Sequence, residues 1–93
     1  MDHTRSELVL TGATTDLLAA VLEALDIPHP ATVGDVETHD RILAERAMHA
    51  VIALQGVMQG HPLGIEWTTA YLRERLTEHP PTGYGQWTRE GQK

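Results

Sequence analysis

Residues 35–58 constrain this chain more than any other stretch. They read as one long helix that changes character halfway. The first half is charged and carries one apolar stripe. The second half, from Ala47 to Met58, is apolar on almost every side. A helix that is apolar all round demands cover all round. In a chain of 93 residues that cover comes from flanking helices or from a second copy. On a helical wheel Val36, Leu43, Ala47, Ala50, Val51, Leu54, Val57 and Met58 share one face, the expected core face, with Asp40 beside it and in need of a partner. Glu37, Arg41 and Glu45 follow at four-residue spacing on the opposite, solvent side. Met48 and Ile52 continue that outer face. They are surplus apolar residues, and they are the candidates for self-association as a twofold homodimer. Alanines 44, 47, 50 and 53 keep the helix thin enough for a neighbour to approach closely.

Two shorter helices are expected to flank it. Thr14, Thr15 and Asp16 make a helix start, with a hydroxyl cap and an acid in the first turn. Leu17, Leu18, Val21, Leu22 and Leu25 then form an apolar face, while Ala19, Ala20, Glu23 and Ala24 form the other side. Three His-Pro pairs, at 29–30, 61–62 and 79–80, punctuate the chain, because the residue before proline is pushed out of the α region. A third helix opens near Ile65, with Ile65, Thr69, Leu72 and Leu76 as its core face. The pattern predicts an all-α fold: a small three-helix bundle with helices at about 15–27, 34–59 and 64–79, the middle one central. The first helix would pack its Leu17/Val21/Leu25 face on the central one, and the third its Ile65/Leu72/Leu76 face. A Pro/Gly/aromatic tail follows, and residues 1–7 and 88–93 are expected to be mobile. A chain of this length fits one domain.

Composition excludes several classes. The net charge is −6, and the basic residues are scattered among acids, so the basic face that nucleic-acid binding requires is missing. There is no cysteine, which removes disulfides, thiolate metal sites and cysteine nucleophiles and is compatible with the cytoplasm. The first residues hold no apolar run of the signal-peptide kind. The longest stretch free of Asp, Glu, Lys and Arg, residues 47–65, is broken by Gly56, Gly60, Pro62 and Gly64, so no membrane span is expected. Six of the seven basic residues are arginine and alanine is frequent, a composition that points to a high-GC bacterial or phage genome.

Candidate sites are few. Residues 8–14 resemble the opening of a dinucleotide-binding Rossmann protein, but Thr15 and Leu18 stand where its further glycines belong. No cofactor is expected. Ser6 is the one serine, and no nucleophile–base pair is legible, so catalysis is not expected. Glu45 and His49, one helical turn apart, offer two metal ligands that need another histidine to complete them. The clearest signal is aromatic. Phenylalanine is absent, and Trp67, Tyr71, Tyr84 and Trp87 all fall in the last third. Trp and Tyr are favoured anchors of protein interfaces. Trp67 and Tyr71 lie away from the leucine stripe of their own helix. These four rings either dock a protein partner or close on one another as the tail folds back. The function expected is a small acidic non-catalytic interaction module, an adaptor or regulator, with a ligand- or metal-binding domain built on Glu45 and His49 as the alternative.

Overall fold

The computed structural model describes residues 12–87. Both ends expected to be mobile lie outside these residues. Three helices make a small all-helical bundle: α1 (Gly12–Leu25), α2 (Val36–Met58) and α3 (Gly64–Thr77), with a 3-10 turn over Val33–Asp35 leading into α2. The first helix starts three residues earlier than expected, so Thr14 and Thr15 fall in its first turn instead of capping it. Each helix ends two to four residues before a His-Pro pair, as the proline punctuation requires. The chain turns sharply at the end of α2. Gly60 adopts φ +76°, its N–H reaches Val57 O at 3.1 Å, and the His61 N–H reaches Gly56 O at 2.9 Å. That pair of bonds is a Schellman turn, and it needs glycine at the left-handed position.

Helix α2 spans about 34 Å, and α1 and α3 about 21 Å each. The two short helices run parallel to each other and antiparallel to the C-terminal half of α2. The core they share is Ala20, Ala24, Ala50, Ala53, Leu72 and Leu76. The N-terminal half of α2 is covered by chain without helical structure. Ile27 from the α1–α2 loop and Tyr84 from the tail close on Ile42, with Leu43 beside them. The tail is tied down by backbone bonds from Ala31 N to Gly85 O and from Trp87 N to His29 O, both 2.8 Å. Gly85 lies close to Asp35 there: a Cβ would come within 2.9 Å of the carboxylate, which would have to shift.

Inward and outward faces differ from the wheel. On α1 two alanines take core positions and three leucines leave them: Leu17, Ala20 and Ala24 are buried, Val21 is half-buried, and Leu18, Leu22 and Leu25 are exposed. On α2 the buried residues are His39, Ile42, Arg46, Ala50 and Ala53, while Val36, Val51 and Met58 are exposed. The expected α2 face is therefore rotated toward a stripe containing a histidine and an arginine. On α3, Leu72 and Leu76 are buried as expected, together with Thr69 and Thr68. The two threonine hydroxyls donate to Ile65 O and Gly64 O, each at 3.0 Å, so their burial leaves no hydroxyl unpaired. Asp40 is exposed and accepts from His39 Nδ1 at 2.8 Å.

Arg46 explains the rotation. Its side chain is 4% exposed and lies where the C-terminal ends of α1 and α3 converge. Nε donates to Ala24 O at 2.9 Å, and Nη2 to Glu23 O at 2.7 Å. Nη1 donates to His79 O at 2.7 Å and, more weakly, to Leu76 O at 3.4 Å. These carbonyls stand at or just beyond the last turns, where intrahelical partners run out. Both helix ends also carry partial negative charge. Burial pulls the guanidinium pKa down, opposed by the charge of Glu23 and then of Tyr84. One guanidinium reaches both ends only if the two short helices approach α2 closely, and alanines on the facing sides permit that approach.

Two outcomes test this account. Arg46→Met should lower unfolding free energy by about 2–4 kcal/mol in urea titrations, because it strands carbonyls of two helix ends. Arg46→Lys should recover only part of this, since an ammonium lacks the planar fork that spans both ends. Tyr84 supplies the second. Its hydroxyl donates to Pro28 O at 2.6 Å, and burial raises its pKa above the usual 10.0, with Arg46 opposing. A folded-state pKa above the unfolded value gives stability that is full below pH 10 and lost as pH rises through the folded value. Alkaline melts of wild type should therefore fall more steeply above pH 10 than those of Tyr84→Phe.

Candidate functional site

The three helices leave three outer seams. Between α1 and α3 the seam is charged, with Asp16, Glu66 and Arg73, and Arg73 Nε lies 3.8 Å from Glu23 Oε1. Between α2 and α3 the seam is aromatic. The Schellman turn at the end of α2 delivers the His61 ring onto Trp67, centroids 4.8 Å apart and planes within 16°. Leu63 N donates to His61 Nδ1 at 3.0 Å and holds the ring there. Trp67 stacks in turn on Tyr71, one turn further along α3, at 5.8 Å and 10°. The Arg75 guanidinium carbon lies 5.7 Å from the Tyr71 centroid, a cation–π distance, and Arg75 Nη2 binds Glu78 Oε2 at 2.9 Å.

The ladder crosses to α2 at His49. Its ring meets Tyr71 edge-on at 6.2 Å, with Nδ1 3.3 Å from the hydroxyl. His49 stacks on His79 at 5.5 Å, and His79 Nδ1 lies 3.0 Å from Glu45 Oε1. Beside the ladder runs a groove of about 240 Å³, lined by Ile52, Ala53, Gly56, His61, Trp67, Thr68 and Tyr71. Gly56 adds no side chain to its floor. Trp67 is 45% exposed and Ile52 equally so.

The structure thus joins residues that the sequence kept apart. Ile52, a self-association candidate, and Trp67 and Tyr71, partner candidates, line one groove, with Met48 exposed one turn before Ile52 on α2. It separates others. Tyr84 is buried against Ile27 and Ile42, with its ring edge-on to His39 at 5.5 Å, so it anchors the tail and is not open to a partner. Trp87 is half-exposed, but its backbone is bonded to the α1–α2 loop. The tail therefore does not fold onto Trp67 and Tyr71. Tyr84 goes elsewhere because the N-terminal half of α2, which neither short helix reaches, needs apolar cover.

His61, His79 and Arg75 belong to the ladder and were not singled out as site residues in the sequence. For the two histidines the signal was the His-Pro pair after each helix, which set where the rings emerge; Arg75 carried none. Glu45 and His49 do gain a further histidine, His79. Yet the two imidazoles are stacked, and the Nδ1 atoms face Tyr71 and Glu45. Among the described residues no group of three or more His, Cys, Asp or Glu side chains is arranged to hold a metal ion. A larger hollow, about 500 Å³, lies at the other end of the bundle over Arg46, whose guanidinium is committed to main-chain carbonyls.

No helix among the described residues is long and apolar enough to cross a membrane. No family model, curated protein or solved structure matches the chain.

The ladder makes a prediction about metal. Zinc bound tightly by the native state must raise the melting temperature. Millimolar zinc should shift wild type no more than His49→Ala; a rise seen only in wild type would establish a site on Glu45, His49 and His79.

Proposed function

We propose that this chain is a small, acidic, non-catalytic protein–protein interaction module, an adaptor or regulator acting in the cytoplasm. Its binding element in this reading is the α2/α3 groove, with Trp67 and Tyr71 as anchors and Ile52 and Met48 as apolar flank. The observation that carries the reading is Trp67. It is held in a stack between His61 and Tyr71 while 45% of its surface stays open above an apolar groove. A ring fixed before binding loses little freedom when a partner covers it, and this preorganisation favours affinity. Large aromatic side chains at the centre of an interface contribute most of its energy.

Charge favours a particular kind of partner. Glu45 and Glu74 border the ladder, and the net charge is −6. An apolar segment flanked by basic residues would be steered toward such a face. Self-association through Met48 and Ile52 would use part of the same surface, so the two uses compete. The composition also suits a bacterial or phage source.

The test is affinity capture with the wild-type chain beside Trp67→Ala and Ile52→Asp, both solvent-facing changes. A defined protein held by wild type and lost by at least ~10-fold in each variant, at unchanged helical content, supports the reading. Equal capture by all three would remove the groove from consideration.

A further inference from the structure

Gly56 breaks two local rules at once. It lies inside α2, where glycine is the weakest helix former after proline. Its backbone is helical, unlike that of the left-handed Gly60, so no turn requires it. In the Schellman turn that closes α2, the Gly56 carbonyl accepts from the His61 N–H. Side chains at these two positions commonly pack on each other. Room for such a contact exists: a Cβ at position 56 would come no closer than 3.7 Å, to His61 Cδ2. A larger side chain would therefore favour the helix and its turn alike. What its absence leaves is the floor of the α2/α3 groove, with Ile52 and Ala53 on one wall and Trp67 and Tyr71 on the other. A local rule broken without a structural gain marks a functional position.

We propose that Gly56 holds this groove open as a slot for one large apolar side chain, carried by a basic segment of a partner protein. The inference rests on the partner-groove reading above and specifies what enters the groove. Size argues for a single side chain. The groove, at about 240 Å³, is smaller than the ~300–1,000 Å³ of a pocket for a drug-sized ligand and larger than the ~150 Å³ that takes a benzene ring. Its lining holds no carboxylate, lysine or arginine, and the Thr68 hydroxyl is spent on Gly64 O, so an apolar group fits.

Charge at the rim argues for a basic carrier. No Lys or Arg occurs between Arg46 and Arg73. Acids border the Tyr71 end of the groove. Glu45 holds His79, whose ring stacks on His49 beside Tyr71. Arg75 lies over Tyr71, with the Glu74 carboxylate at 3.7 Å and that of Glu78 at 2.9 Å. Arg46 is turned inward onto main-chain carbonyls, which leaves Arg75 to balance three carboxylates. A lysine or arginine next to the inserted side chain meets that surplus.

The test titrates the full chain with charged tripeptides and follows amide and indole N–H shifts by NMR. Acetyl-Lys-Leu-Lys-amide should shift Gly56, His61, Trp67 and Tyr71 with a dissociation constant on the order of 10 mM, as one buried side chain allows. Acetyl-Lys-Ala-Lys-amide should bind at least ~10-fold more weakly, because it leaves the slot unfilled. Acetyl-Glu-Leu-Glu-amide should bind roughly 5-fold more weakly at low salt. Gly56→Leu should abolish the Lys-Leu-Lys shifts at unchanged helical content. Gly56→Ala, the smaller filling, should raise the melting temperature by several degrees and weaken binding in part. Equal binding of the Leu and Ala peptides overturns the proposal, as does undiminished binding to both Gly56 variants. Silence of the groove up to ~50 mM peptide overturns it too. So do saturable shifts with free indole alone, the mark of a small-molecule pocket. Capture separates the two readings: a protein lost by Trp67→Ala but still held by Gly56→Leu keeps the groove as partner site and removes the slot.

Discussion

The whole bundle depends on one buried cation. Two short helices that run parallel bring two negative helix ends to the same place. Without compensation the ends would repel, and their last carbonyls would lose water without gaining partners. Arg46 answers both problems. It rises from the middle of the antiparallel helix and donates to both ends at once. A buried charge is costly unless it is hydrogen-bonded on every side, and here the main chain supplies the acceptors. The converging ends thus need the arginine, and the arginine needs them.

The rest of the architecture accommodates that contact. Short reach requires thin helices, so alanines occupy the facing sides of α1 and α2. Larger apolar residues are displaced to the flanks. Leu18, Leu22 and Leu25 leave the core for the outer surface of α1, while Trp67 and Ile52 flank the α2/α3 seam. A core of alanines is close-packed but yields less hydrophobic stabilisation per residue than a core of leucines, at about 0.8 kcal/mol per buried CH2. The surplus appears as two apolar surfaces of different kinds, one aliphatic and one aromatic. The Schellman turn at Gly60 and the His-Pro breaks then decide where the histidine rings meet the aromatic surface.

Much of this was legible in the chain itself. Helix number, order and approximate limits follow from apolar periodicity and proline punctuation, because both act within a few residues. The aromatic signal in the last third was legible as well. The inward faces of α1 and α2 were legible only in part, while that of α3, with Thr69, Leu72 and Leu76, was read correctly. A wheel ranks positions by side-chain hydrophobicity, and on α1 it therefore set Leu18, Leu22 and Leu25 inside and Ala20 and Ala24 outside. Arg46 looked like one more surface charge, because the carbonyls that satisfy it lie more than twenty residues away in either direction. Tyr84 looked like a companion of Trp67 for the same reason: nothing local says that Ile27 and Ile42 await it.

The sequence by itself determined the three helices, their breaks and the set of side chains able to form an interface. All of these rest on backbone preferences and short-range spacing. Only the tertiary structure decided which faces of α1 and α2 are buried, that Arg46 ties two helix ends, that His61, Trp67, Tyr71, His49 and His79 form one ladder, and that the tail covers α2 with Tyr84. Those outcomes turn on how close two helices can come. That distance is set jointly by side chains far apart along the chain, and no single stretch of it carries the information.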